Sequence, residues 1–154
     1  MGKKPPVIAV TGPTASGKSD LGLKLARRLG GEIVCMDSMQ IYRRMDIGTA
    51  KPTAQEQALV PHHMLDVADP TEAYAVADYA VAAEHVIDQI ISRGRLPILV
   101  GGTGLYLKAL MDGLSLGGAG GDERLRAELN ALADEPGGKE RLHARLAAVD
   151  PETA

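Results

Sequence analysis

The chain has 154 residues, one cysteine, four tyrosines, and neither tryptophan nor phenylalanine. This is about one domain of chain, too poor in aromatics for a base-stacking platform and too poor in cysteine for a disulfide framework or a Cys-rich zinc site. A net charge of −3 gives no global basic field for nucleic acid or anionic lipid. No apolar run approaches a membrane span or a signal-peptide core, so the expectation is a soluble, cytoplasmic protein.

Residues 7–11, Val-Ile-Ala-Val-Thr, read as a buried strand running into a glycine-rich turn. A helical pattern starts at Lys18, with Leu21, Leu25 and Leu29 on one face, and stops at Gly30-Gly31. Ile33 to Met36 is a second buried strand, ending at Asp37-Ser38. Residues 48–72 hold prolines 52, 61 and 70 and little periodicity, which predicts a long loop with short elements. Val76, Tyr79, Ala83, Val86, Ile87 and Ile90 mark an amphipathic helix that Gly94 ends. Pro97 to Val100 is a third strand, followed by Gly101-Gly102-Thr103-Gly104 and a helix that opens near Gly104.

Strands alternating with helices predict an α/β fold, a parallel sheet flanked by helices with ligands bound beyond the strands' carboxyl ends. Composition changes at residues 117–121, where four of five residues are glycine. Beyond them residues 122–154 read as two helices separated by Pro136-Gly137-Gly138, with 5 basic and 8 acidic side chains. Two such helices cannot bury their leucine stripes alone.

Gly12-Pro13-Thr14-Ala15-Ser16-Gly17-Lys18-Ser19 is a full G-x-x-x-x-G-K-[ST] P-loop, set between a strand and a helix. Its amides curl around an anion, the helix adds its positive end, Lys18 meets the terminal phosphate, and Ser19 offers a hydroxyl to Mg²⁺. The motif specifies phosphate without specifying the compound. Asp37, at the second strand end, reads as a metal-holding carboxylate, a general base, or, with Ser38, a cap of a following helix. Thr103 brings a hydroxyl, and its glycine neighbours bring amides, to a ligand; the alternative is tight strand–helix packing. Cys35 reads as a small buried hydrophobe. His62-His63 reads as structural rather than chelating. Arg43, Arg44 and Lys51 read either as phosphate contacts or as a solvated face, and the tyrosines as core or rim.

Together these residues resemble the tRNA dimethylallyltransferases (isopentenyl-tRNA transferases). The resemblance rests on the P-loop at 12–19, Asp37-Ser38-Met39-Gln40-Ile41-Tyr42, Met45-Asp46-Ile47-Gly48-Thr49-Ala50-Lys51-Pro52, Pro61-His62-His63, Asp69-Pro70, and Leu99-Val100-Gly101-Gly102-Thr103-Gly104-Leu105-Tyr106. It is dense over residues 7–115 and compositional beyond them.

The resemblance implies a P-loop NTPase-like core over residues 1–116 and an incomplete helical, tRNA-binding insertion over residues 117–154 of a truncated chain. It implies transfer of a dimethylallyl group from dimethylallyl diphosphate to the N6 amine of an adenosine beside the tRNA anticodon. Gly12, Pro13, Thr14, Ala15, Ser16, Gly17, Lys18 and Ser19 would hold the diphosphate, despite the ATP-binding signature of the motif. Mg²⁺ on Ser19 would be the cofactor. Asp37 would be the base, Thr103 and Lys18 would act on the diphosphate, and Asp37, Ser38, Met39, Gln40 and Thr103 would meet the tRNA. The expected partners are dimethylallyl diphosphate and the tRNA anticodon arm, with no membrane and a monomeric state. The alternatives are an adenylate isopentenyltransferase, a P-loop small-molecule kinase, or an inactive diphosphate-binding fragment.

Overall fold

The computed structural model describes residues 6–112 and 122–154. The chain divides into two compact units, Met1–Leu116 and Gly117–Ala154. The glycine-rich joint read at residues 117–121 lies outside the described residues.

The first unit is an α/β layer structure. Its elements are β1 (Ile8–Thr11), α1 (Lys18–Leu29), β2 (Gly31–Cys35), α2 (Ala54–Leu59), β3 (His62–His63), α3 (Val76–Ser92), β4 (Leu96–Gly101) and α4 (Gly104–Asp112). The strands form one parallel sheet in the order β1-β4-β2-β3. β4 therefore lies between the strand that feeds the P-loop and the strand that ends at Asp37. The register sets Val10 beside Val100 and Val100 beside Cys35.

Strand alternation sorts the apolar side chains onto two faces. Ile33, Cys35, Ile98 and Val100 join Val10, Ala26 of α1 and Val60 on one side. Val34, Met36 and Leu99 join Tyr79, Ala83 and Ile90 of α3 and Tyr106 of α4 on the other. The Tyr79 and Tyr106 rings stack at 3.8 Å, and the Tyr79 hydroxyl donates to the Cys35 carbonyl at 2.9 Å. These two tyrosines are core residues, as their spacing predicts. Burial pushes the Cys35 thiol up to about 12, which keeps it an inert core atom.

The loop over residues 48–72 contains α2 and β3. Thr53 and Glu56 start α2 with a reciprocal capping box, legible as T-x-x-E. β3 is a two-residue edge strand, and strand alternation sends its histidines to opposite faces. His63 Nε2 meets the buried Glu32 carboxylate at 2.6 Å, and His62 Nδ1 meets the Val60 carbonyl at 2.8 Å. Adjacent strand residues diverge, which is why this pair does not chelate.

The second unit is a helical pair, α5 (Glu123–Asp134) and α6 (Gly138–Val149). Asp122 caps α5 by accepting the amides of Arg124 and Leu125. Of its described residues only Gly138 is buried, and Leu125, Leu146 and Val149 remain exposed.

Candidate active site

Residues 12–17 connect β1 to α1 without a side-chain cap. Gly17 holds φ at 81°, a left-handed value that frees the first amides of α1 to point outward. Ala15 adopts φ 63°, a strained conformation for a residue with a Cβ. Lys18 Nζ folds back onto the Pro13 carbonyl at 2.5 Å. The loop is thus a ring of exposed donors on the helix's positive end, suited to a polyphosphate.

The end of β4 is welded to the end of β2. Gly101 is buried, and a Cβ there would stand 2.0 Å from the Met36 carbonyl oxygen, so only glycine permits this approach. The Thr103 amide donates to the Met36 carbonyl at 3.2 Å. The Thr103 hydroxyl oxygen accepts the Ser38 amide, also at 3.2 Å, which leaves its own proton to be donated elsewhere.

Asp37 Oδ1 accepts the Met39 amide at 2.8 Å and the Gln40 amide at 3.4 Å. No helix directly follows β2, so Asp37 caps a turn instead of the expected helix. One carboxylate oxygen fixes the turn after β2, and the group as a whole lines the cleft beside the P-loop. Gln40 does not point at solvent: its amide nitrogen donates to the Thr49 and Ala50 carbonyls at 3.0 Å each. Met39 is 45% exposed on the cleft wall.

Two adjoining cavities meet here. An open cleft of about 500 Å³ is walled by Thr14, Lys18, Ser19, Asp37, Met39 and Gly102. An inner cavity of about 250 Å³ is walled by Leu23, Ile33 and Val100, with His62 and Lys51. Ser19, Asp37, Gln40, Ala50 and Glu56 line both. Burial holds the His62 imidazole below its usual range, and the Thr53 amide and hydroxyl hold the Glu56 carboxyl below its own.

The basic residues after β2 divide: Arg43 and Arg44 stay on a solvated face, whereas Lys51 is drawn inward. Lys51, its side chain 7% exposed, donates to the Tyr42 carbonyl at 2.6 Å, Asp46 at 2.8 Å and Asp66 at 2.7 Å. Burial opposes its charge, and the two carboxylates outweigh that cost and raise its pKa. Arg43 donates to the Asp66 carbonyl at 2.9 Å, and Arg44 pairs with Asp69 at 2.7 Å. Sequence reading missed this brace because its acceptors lie up to 25 residues away.

The site thus joins a P-loop suited to a diphosphate, a small cavity with both apolar and polar walls, and a carboxylate where the two meet. A family model described as IPP transferase matches residues 40–154. The tRNA dimethylallyltransferase of Pelotomaculum thermopropionicum is 53% identical over 152 residues, 99% of this chain and 48% of the relative. That of Halorhodospira halophila is 56% identical over 97% of this chain and 47% of the relative. The crystal structure of the full-length tRNA isopentenylpyrophosphate transferase from Bacillus halodurans superposes with a TM-score of 0.72 at 48% identity, over 97% of this chain and 49% of that one. A eukaryotic dimethylallyltransferase acting on tRNA gives a TM-score of 0.76 at 32% identity, over 96% and 36%. The chain spans about half the length of the curated relatives it matches.

Proposed function

The chain belongs to the IPP transferase family, and from that premise we propose that it carries the donor-activating site of a tRNA dimethylallyltransferase. The observation that carries this reading is that the P-loop, Asp37 and Gly102, the residue before Thr103, line one cleft, which adjoins a smaller cavity with an apolar side at Leu23, Ile33 and Val100. The diphosphate of dimethylallyl diphosphate lies on residues 12–19, and its five-carbon chain lies against Leu23, Ile33 and Val100. The adenosine enters over Ser38, Met39 and Gln40, extruded from its stack, since a stacked base exposes no approach to its amine.

The reaction then balances simply. The N6 amine forms a bond to the allylic carbon as the carbon–oxygen bond breaks, and that electron pair leaves on the diphosphate. Asp37 takes the proton the amine loses. Lys18 leaves the Pro13 carbonyl to meet the growing negative charge, and Thr103 donates its hydroxyl proton to the same group.

Among the described residues no cluster of three His, Cys, Asp or Glu side chains suits a metal. A site with one hydroxyl, Ser19, fits Mg²⁺, which takes few protein ligands and completes its shell with phosphate oxygens and water. When bound, the ion supplies positive charge to the leaving group. No described helix is long and apolar enough to cross a membrane. We place the protein in the cytoplasm, with its tRNA.

The test is incubation with dimethylallyl diphosphate, Mg²⁺ and unmodified tRNA, read by the mass of an added prenyl group. Prenyl transfer to AMP instead of tRNA would reassign the acceptor. Phosphate transfer from ATP without prenyl chemistry would overturn the reading, and absence of product would reduce the chain to a binding fragment.

A further inference from the structure

Ile47 is 97% exposed, although it is a large aliphatic residue in a tightly held segment. Single exposed aliphatics are ordinary on protein surfaces. What distinguishes Ile47 is the frame that keeps it there. Thr49 Oγ1 donates to the Met45 carbonyl at 2.7 Å, closing the turn around Ile47. The Gln40 amide holds Thr49 and Ala50 from below, and the buried ammonium of Lys51 grips Tyr42, Asp46 and Asp66. A loose loop would fold its isoleucine against the nearest apolar surface. This one holds it outward.

The position is also specific. The three residues after Ile47 (Gly48, Thr49 and Ala50) form a wall of the open cleft beside the P-loop. Ile47 therefore projects at the rim over which an acceptor must enter. Of the neighbouring cations, Lys51 is buried against Asp46 and Asp66, Arg44 pairs with Asp69, and Arg43 bonds the Asp66 and Val67 carbonyls. At Ile47 itself the rim offers apolar packing.

We propose that Ile47 contacts the bases of the acceptor RNA, filling the gap left in the stack when the target adenosine turns into the cleft. This rests on the RNA-modifying reading above. Apolar side chains are suited to this task, because an unstacked step exposes flat apolar base faces that an aliphatic wedge covers. Such a contact releases no counterions, so it sets affinity without changing the salt dependence of binding.

The experiment uses an RNA anticodon stem-loop with 2-aminopurine in place of the target adenosine, whose fluorescence rises when it leaves the stack. Ile47→Ser is expected to lower RNA affinity about 10-fold and to reduce the fluorescence rise. The slope of log affinity against log salt and the affinity for dimethylallyl diphosphate stay at their wild-type values. Ile47→Leu restores both RNA readouts, and neither variant shifts the thermal midpoint, since the side chain is in water. Wild-type affinity and fluorescence in Ile47→Ser, or an altered salt slope, overturns the proposal while leaving the functional reading intact. Failure of the unsubstituted chain to bind the stem-loop at all overturns the RNA reading, and this inference with it.

Discussion

The Thr103 hydroxyl accepts the Ser38 amide at 3.2 Å, and that bond ties the end of β4 to the turn after β2. The same hydroxyl keeps its own proton, which the proposed reaction donates to the diphosphate. Thr103→Ala removes both the tie and the donor, and is expected to lower prenyl transfer about 10²-fold, the cost of one missing donor to a developing anion. Thr103→Ser keeps the hydroxyl and retains most of the rate. Steady-state kinetics on both variants checks this, and a Ser variant as slow as Ala would count against donation.

Asp37 holds the turn after β2 and, in the proposed reaction, takes the proton; two substitutions separate these roles. Asp37→Asn keeps a side-chain oxygen for the Met39 and Gln40 amides but cannot take a proton. Transfer is expected to fall by about 10²–10⁴-fold, with diphosphate binding and thermal midpoint close to wild type. Asp37→Ala loses the turn as well, and should add about 1 kcal/mol of destabilisation. Single-turnover transfer, diphosphate competition and melting curves together distinguish the two duties.

Gly101 is where the architecture is least forgiving. A methyl group at this position meets the Met36 carbonyl oxygen at 2.0 Å, and both partners are backbone, so neither can swing away. Gly101→Ala is expected to cost about 3 kcal/mol and to abolish transfer by pushing Thr103 away from Ser38. Denaturant unfolding measures the first effect. A variant with wild-type stability would mean that β4 and β2 separate more easily than this packing implies.

Glu32 lies at the opposite end of β2 from Asp37, buried between Arg93 at 2.8 Å and His63 at 2.6 Å. Burial raises its pKa, but the bonds and charges of Arg93 and His63 outweigh this and hold it below the usual carboxylate range. A depressed carboxyl stabilises the fold above its unfolded pKa, and that stability drains as pH falls through the folded value. His62, held low by burial, acts in the same direction from about pH 6.5 downward. Glu32→Gln is expected to cost about 1–2 kcal/mol at neutral pH, discounted because Arg93 is half exposed, and to flatten the loss of stability below about pH 4.5. Thermal melts from pH 3 to 8 provide the check.

The loop between β1 and α1 was legible because its signal is local: one segment supplies the glycines, Lys18 and Ser19. Asp37 and Thr103 were legible as strand ends, and the three apolar strands as runs of Ile, Val and Leu. Strand order was not. Asp37 was expected near the phosphates because its strand follows the P-loop helix, yet β4 stands between β1 and β2. The cleft nevertheless gathers all three strand ends, because parallel strands present their carboxyl ends to the same edge. β3 escaped notice because two histidines carry no period. The Lys51 brace escaped because nothing in the neighbouring sequence marks Asp66 as its partner. The bonds by which Gln40 braces the loop that walls the site had no mark either, since their acceptors are backbone carbonyls nine and ten residues on.

β1 pairs with β4 on one side, and among the described residues no strand pairs with its other side. Ala9 and Thr11 are exposed there. An open parallel edge is a template, with backbone donors and acceptors set out in register for any extended segment that arrives.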